Sequence, residues 1–193
     1  MTRFLTATAL TATLLTAPAA FAEPEKYVLD SSHSQILFSY DHMGFSRTWN
    51  IFSGFEGEIM FDQDDPANSS VTVSFPVTSL LTGWEERYNH FMSDDFFGAE
   101  ENETVSFTST EIEVTGDTTA KITGDFTLNG ITKPVTLDAE LTQAGSHPIE
   151  NKPWAGFSAT TTLKRSDYDM GMFAPVVGDE VDVQISIEAM KDE

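Results

Sequence analysis

The sequence predicts an all-β protein in which about eight antiparallel strands, with one or two short helices, pack as two sheets or close into a barrel. Two observations carry this. Apolar residues recur at every second position along most of the chain, the period of a strand with one buried face. One segment alone, Trp84 to Phe97, shows helical spacing, with Trp84, Tyr88, Phe91 and Met92 about one turn apart.

The first strand, within "HSQILFSYDHMGF", aligns Ile36, Phe38 and Tyr40 and then puts His42 on the same face. Next, "EGEIMFD" aligns Gly57, Ile59 and Phe61 and ends in the acidic turn "DQDDPANSS". "VTVSFPV" places Val71, Val73, Phe75 and Val77 in phase. After the short helix and an aromatic loop, "TVSFTSTEIEVTG" carries Val105 and Phe107, then Ile112 and Val114 with the parity changed, so an irregularity is expected between them. "AKITGDFTLNG" aligns Ala120, Ile122, Gly124, Phe126 and Leu128 and closes on Asn129-Gly130, a tight hairpin signal. Its partner aligns Val135, Leu137, Ala139 and Leu141. Two strands complete the set: Phe157, Ala159, Thr161 and Leu163, then Val181, Val183, Ile185, Ile187 and Ala189.

The first 22 residues read as a secretory signal peptide: Arg3, an apolar run to about Leu15 and the small-residue ending "APAAFA". Cleavage after Ala22 leaves 193 − 22 = 171 residues, a single domain over 23–193 with no Pro- or Ser-rich linker. The expected destination is the periplasm. The absence of Cys excludes a lipid-anchored lipoprotein, a disulfide framework and a thiolate metal site. The net charge of −21 becomes −22 without Arg3, a surface that repels phosphate backbones, so no nucleic acid is expected as partner.

Catalytic signatures are missing. The chain has no Gly-x-Ser-x-Gly elbow, no Cys nucleophile and no phosphate-binding Gly loop, and it is read as a non-enzyme without a cofactor. His33 and His42 have opposite parity, and neither pairs with His90 or His147 at a local ligand spacing, so no metal site is assigned. Asp64, Asp65 and Asn68 lack the order of a calcium loop. Lys164 and Arg165 end an inward-facing strand and are read as surface partners of Asp167 or Asp169, with attraction of an anionic headgroup as the alternative.

Beyond this pattern the chain resembles the YceI-like family of secreted proteins. The matching stretches are "LDSSHSQILFSYDHMGFS", "FSGFEGEIMFD", "NHFMSDDFF", "VSFTST", "GDFTLNGITKPVTLDAEL", "AGFSATTTLKRSDYDMG" and "VGDEVDVQISIEA", in family order from Tyr27 to Ala189. Where the family often has Arg-Asp-x-His-Leu-Arg-Ser, this chain has Arg87-Tyr88-Asn89-His90-Phe91-Met92-Ser93. The resemblance implies a lipocalin-like barrel enclosing a hydrophobic cavity that binds a long-chain polyisoprenoid or similar amphiphile, with transient membrane contact. A homodimer through a barrel edge is compatible with the pattern, though no residue requires it.

With a hollow barrel, the inward face of the first strand gives Ile36, Phe38 and Tyr40 to the apolar lining, and other strands give Phe107, Phe126 and Phe157. Aromatic and Met residues in loops and at the helix join them: Phe45, Phe52, Phe91, Phe97, Met172 and Phe173. His42 at the rim, with Arg87, Asn89 and His90 of the helix, supplies polar groups for a headgroup. Two alternatives stay open: a metal-dependent enzyme using cavity histidines, and a solid barrel that serves protein interaction.

Overall fold

The computed structural model describes residues 23–192; the expected signal segment lies outside the described residues. Ten strands are present: β1 (Glu25–Leu29), β2 (Gln35–His42), β3 (Ser46–Phe52), β4 (Glu56–Phe61), β5 (Ser70–Pro76), β6 (Thr104–Val114), β7 (Thr119–Leu128), β8 (Ile131–Ser146), β9 (Pro153–Lys164) and β10 (Val177–Lys191). One α-helix, α1 (Glu85–Met92), lies between β5 and β6, and Arg165–Tyr168 forms a 3-10 turn after β9.

Every neighbouring pair is antiparallel. The ring runs β1-β4-β5-β6-β7-β8-β9-β10 and closes because β10 returns to β1. The barrel has the expected eight staves, but their membership differs from the sequence reading. β2 was read as a stave and is instead half of a β2–β3 hairpin that branches from β10; the short β1 takes its place in the ring. β10 is long enough to serve both: Val177–Ser186 pairs with β2, and Ala189–Lys191 pairs with β1.

The hairpin thus builds an upper tier on one end of the barrel. Its free edge is met at one point, where Ile51 and Leu81 exchange backbone hydrogen bonds of 3.2 and 2.8 Å. Arg47 fastens the hairpin to the wall, donating from Nε to Ser39 Oγ at 2.8 Å and from Nη2 to Asp182 on β10. The segment from Val77 through α1 to Phe97 roofs the same end, with Tyr88, Phe91 and Met92 packed on the core. Trp84 departs from the helical stripe: it is the residue before the first helical turn and stands 61% exposed.

Local chemistry explains the wall. β6 shifts register between Ser109 and Glu111, which turns both Phe107 and Ile112 inward despite their opposite parity. Gly124 on β7 leaves room for the Phe107 ring, since a Cβ there would lie 2.5 Å from Phe107 Cζ. Asn129 (φ 50) and Gly130 (φ 71) make the two-residue turn between β7 and β8. The acidic turn after β4 is organised internally, with Asp62 Oδ1 accepting the backbone N–H groups of Asp64 and Asp65.

Arg165 corrects the sequence reading. It is not a surface partner of Asp167 or Asp169 but is buried, 7% exposed, and donates four hydrogen bonds to backbone carbonyls: Gly178 at 2.8 Å, Met170 at 2.6 Å, Met172 at 2.7 Å and Val177 at 2.9 Å. Asp167 pairs with Lys133 instead.

Candidate functional site

Among the described residues, an inner and an outer chamber share no lining residue. The inner chamber, about 200 Å³, lies within the closed ring and reaches the surface near the β6–β7 turn at Gly116–Thr119. Its wall is apolar, built from Ile59, Phe61, Val73, Phe75, Leu163, Ile185 and their neighbours on all eight staves, because the inward position of each strand is the apolar one. The outer chamber, about 790 Å³, lies under α1 and the β2–β3 hairpin. Polar side chains edge it: Tyr40, His42, Ser46, Thr48, Glu86, Arg87, His90 and Arg165.

The residues expected to line a single cavity are divided between these spaces. Ile36, Phe107, Phe126 and Phe157 line the inner chamber; Tyr40, Phe91, Phe97 and Phe173 line the outer one, with His42, Arg87 and His90 of the headgroup set. Phe38 and Phe52 line neither. They stack on each other at 5.4 Å, and Phe52 also touches Phe75 of the inner chamber at 5.0 Å and Phe97 of the outer one at 5.7 Å, so the pair forms a wall between the two. Phe45, at the tip of the β2–β3 hairpin, is 91% exposed; Asn89 on α1 and Met172 are also exposed and outside both chambers.

Several outer-chamber residues escaped the sequence reading. Thr48 comes from β3, whose inward face is Thr48, Asn50 and Phe52; two polar residues of three hide the alternation that marks a strand. Met43, Phe96 and Met170, on turns or irregular segments, and Trp84, just before α1, line the outer chamber as well, in keeping with the aromatic and Met residues that the sequence places in loops and at the helix.

The electrostatics of the outer chamber turn on two arginines. Arg165 commits four of its five N–H groups to backbone carbonyls; burial pushes its pKa below the usual arginine value, opposed by the Asp179 carboxylate. Burial raises the Asp179 carboxyl, but bonds from the Ser166 hydroxyl and backbone N–H outweigh it, with Arg165 assisting, and hold it below the usual range. Arg87 differs. Its Nε is buried without a hydrogen-bond partner among the described residues, which leaves this guanidinium free to meet what enters. His90 stands edge-on to Phe96 at 4.8 Å, with Asp95 at 3.8 Å from its Nε2.

His33 lies elsewhere. Its Nδ1 is 2.7 Å from Asp30 Oδ2 and 3.0 Å from the Ser32 hydroxyl, at the β1–β2 turn. Among the described residues, the grouping able to offer three metal-ligating side chains is Asp30, His33 and Glu188; it includes neither chamber histidine.

A closed antiparallel barrel, hollow, roofed at one end by a helix and a hairpin, defines the class: a lipocalin-like β-barrel. The chain belongs to the YceI-like family, whose domain matches residues 27–189. A UPF0312 protein of Pseudomonas aeruginosa is 37% identical over 191 residues, covering 97% of both chains. The crystal structure of Burkholderia cenocepacia BcnA superposes with a TM-score of 0.75 at 22% identity, covering 83% of this chain and 98% of that one. A Saccharophagus degradans domain described as polyisoprenoid-binding superposes at 0.67 with 13% identity, covering 86% of this chain and 98% of its own.

Proposed function

We propose that this protein is a non-catalytic periplasmic carrier of a long-chain polyisoprenoid or similar amphiphile. The observation that carries the reading is the pairing of an apolar inner chamber with a larger, polar-edged outer one, with the rings of Phe38 and Phe52 between them. Such an interior suits a molecule with an apolar chain and a polar end. The inner chamber falls below the roughly 300–1,000 Å³ of ordinary ligand sites. A long chain therefore has to occupy both spaces, displacing the Phe38–Phe52 wall as it enters. Its polar end then rests among Arg87, His42 and His90 while the tail gains by leaving water.

The outer mouth is bordered by exposed apolar side chains, Met43, Trp84 and Phe173, with Phe45 projecting from the neighbouring hairpin tip. These are suited to brief contact with a membrane surface from which the lipid is taken. At about −0.3 kcal/mol per heavy atom, a chain of roughly 40 carbons reaches about −12 kcal/mol, near-nanomolar binding. The Saccharophagus degradans domain, described as binding a polyisoprenoid on the same fold, supports the reading.

The test is mass spectrometry of an organic extract of the protein, purified from its exporting host without detergent. A stoichiometric long-chain isoprenoid is expected. Protein that carries no lipid and takes none up from vesicles would refute the carrier reading.

A further inference from the structure

The least compensated polar group in the described interior is the side chain of Asn50. It is 2% exposed, and neither Nδ2 nor Oδ1 has a hydrogen-bond partner among the described residues. Buried amides in native folds are nearly always bonded, and an Asn offers two donors and an acceptor, so an amide with none of them engaged calls for an explanation.

Its position supplies one. Asn50 is on β3 between Thr48, which lines the outer chamber, and Phe52, and it shares their inward face. Across the β2–β3 ladder its register partner is Phe38. Asn50 itself lines neither chamber, so its amide stands behind the edge of the polar-edged one, beside the aromatic wall that an entering chain displaces. An apolar residue would satisfy a purely structural role at such a place.

We propose that Asn50 reads the ligand: its amide hydrogen-bonds an uncharged oxygen group, a hydroxyl or carbonyl, carried on the amphiphile into the outer chamber. The inference rests on the carrier reading and adds the chemical class of the head. An uncharged group is specified because Asn50 stands beside Phe38 and Phe52, and its neutral amide brings no charge to offset the lost hydration of an ion. Arg165, the buried guanidinium of this chamber, has its hydrogen bonds committed to backbone carbonyls. A hydroxyl engages both ends of the amide, accepting from Nδ2 and donating to Oδ1.

The experiment compares delipidated wild type with Asn50→Leu, which keeps the volume and removes the polar atoms, and with Asn50→Val, which suits a strand if Leu packs poorly. Probes are a polyprenol of about 40 carbons and a polyprene hydrocarbon of matched length, presented in micelles, with binding read by native mass spectrometry and tryptophan fluorescence. The expected result is about tenfold weaker polyprenol binding by both variants, about 1.4 kcal/mol, with hydrocarbon binding unchanged. Wild type that binds both probes, with folded variants that bind each equally well, overturns the role of Asn50 and leaves the carrier intact. Wild type that binds neither probe overturns both.

Discussion

Phe38 and Phe52 stack at 5.4 Å with an interplanar angle of 22°, and the pair lies between residues of the two internal chambers without lining either. Their Cα atoms belong to adjacent strands but are not register partners: Phe38 faces Asn50, and Phe52 faces Ile36. The rings are therefore diagonal neighbours, held by Phe75 on one side and Phe97 on the other.

Truncating this wall should join the chambers. Phe52→Ala removes a ring that touches three others and is expected to cost about 3–5 kcal/mol in the lipid-free protein. Bound lipid fills part of the space, so the deficit should shrink on loading and lipid uptake should speed up. Urea melts of loaded and empty variant check the first point, and stopped-flow uptake from vesicles checks the second. Equal deficits in the two forms would place the ligand away from the wall.

Asn50 makes an opposite prediction for stability. Replacing an unbonded buried amide by a hydrocarbon of the same size removes a desolvation cost of about 1–3 kcal/mol. Lipid-free Asn50→Leu should therefore unfold at higher urea concentration than wild type with the same dependence on urea. A lower midpoint would show that the amide is bonded in solution.

Much of this arrangement was legible in the sequence, and the parts that were not share a cause. β5 to β10 announce themselves because one face of each is apolar and the other polar, a pattern set by the barrel wall. β3 does not, because Thr48 and Asn50 occupy its inward face, and that face borders the chamber where polar groups gather. β1 is only five residues long and offers two inward apolar positions, Tyr27 and Leu29, too few to show a period. The division of the cavity was invisible for another reason: Phe38 and Phe107 both read simply as inward aromatics of a strand, and whether a ring lines a space or closes it depends on the strand opposite. Arg165 was misread because adjacent acids suggest surface pairs, while its true partners are carbonyls, which every residue carries.

Arg165 also permits a sharp test. Its planar fork reaches carbonyls at Met170, Met172, Val177 and Gly178 at once, holding the segment between the 3-10 turn and β10 against the outer chamber. An ammonium is a point donor and cannot span the same set. Arg165→Lys should lose about 2–4 kcal/mol, hydrogen bonds to charged groups being worth about 1.5–3 kcal/mol each and some surviving. Hydrogen exchange should quicken from Met170 to Gly178 while the staves β6 to β8 stay protected. Uniform loss of protection would mean that the guanidinium supports the whole barrel and not its rim.

The turn that joins β1 to β2 should respond to pH through His33 and Asp30. The hydrogen bond that His33 donates to Asp30 raises the His33 pKa above its ordinary 6.5, with the charges of Asp30 and Glu188 adding to it. For Asp30, partial burial acts upward, but the bonds from His33 and Ser32 outweigh it and hold the carboxyl below 3.8. The signs then follow. A group whose folded pKa is raised stabilises the fold fully below its unfolded value, and that contribution is lost as pH rises through the folded value; a depressed carboxylate stabilises above its unfolded value and loses this as pH falls. The pair thus helps most between about pH 3.8 and 6.5 and fades on both sides, more weakly at high salt because His33 is exposed. Proton NMR of the imidazole should give a His33 midpoint above 6.5 in wild type, returning toward 6.5 in Asp30→Asn. The variant should also flatten the rise in stability between neutral pH and pH 6. An unshifted midpoint in both proteins would show that the turn is open in solution, and with it the tie between the first stave and the hairpin that roofs the outer chamber.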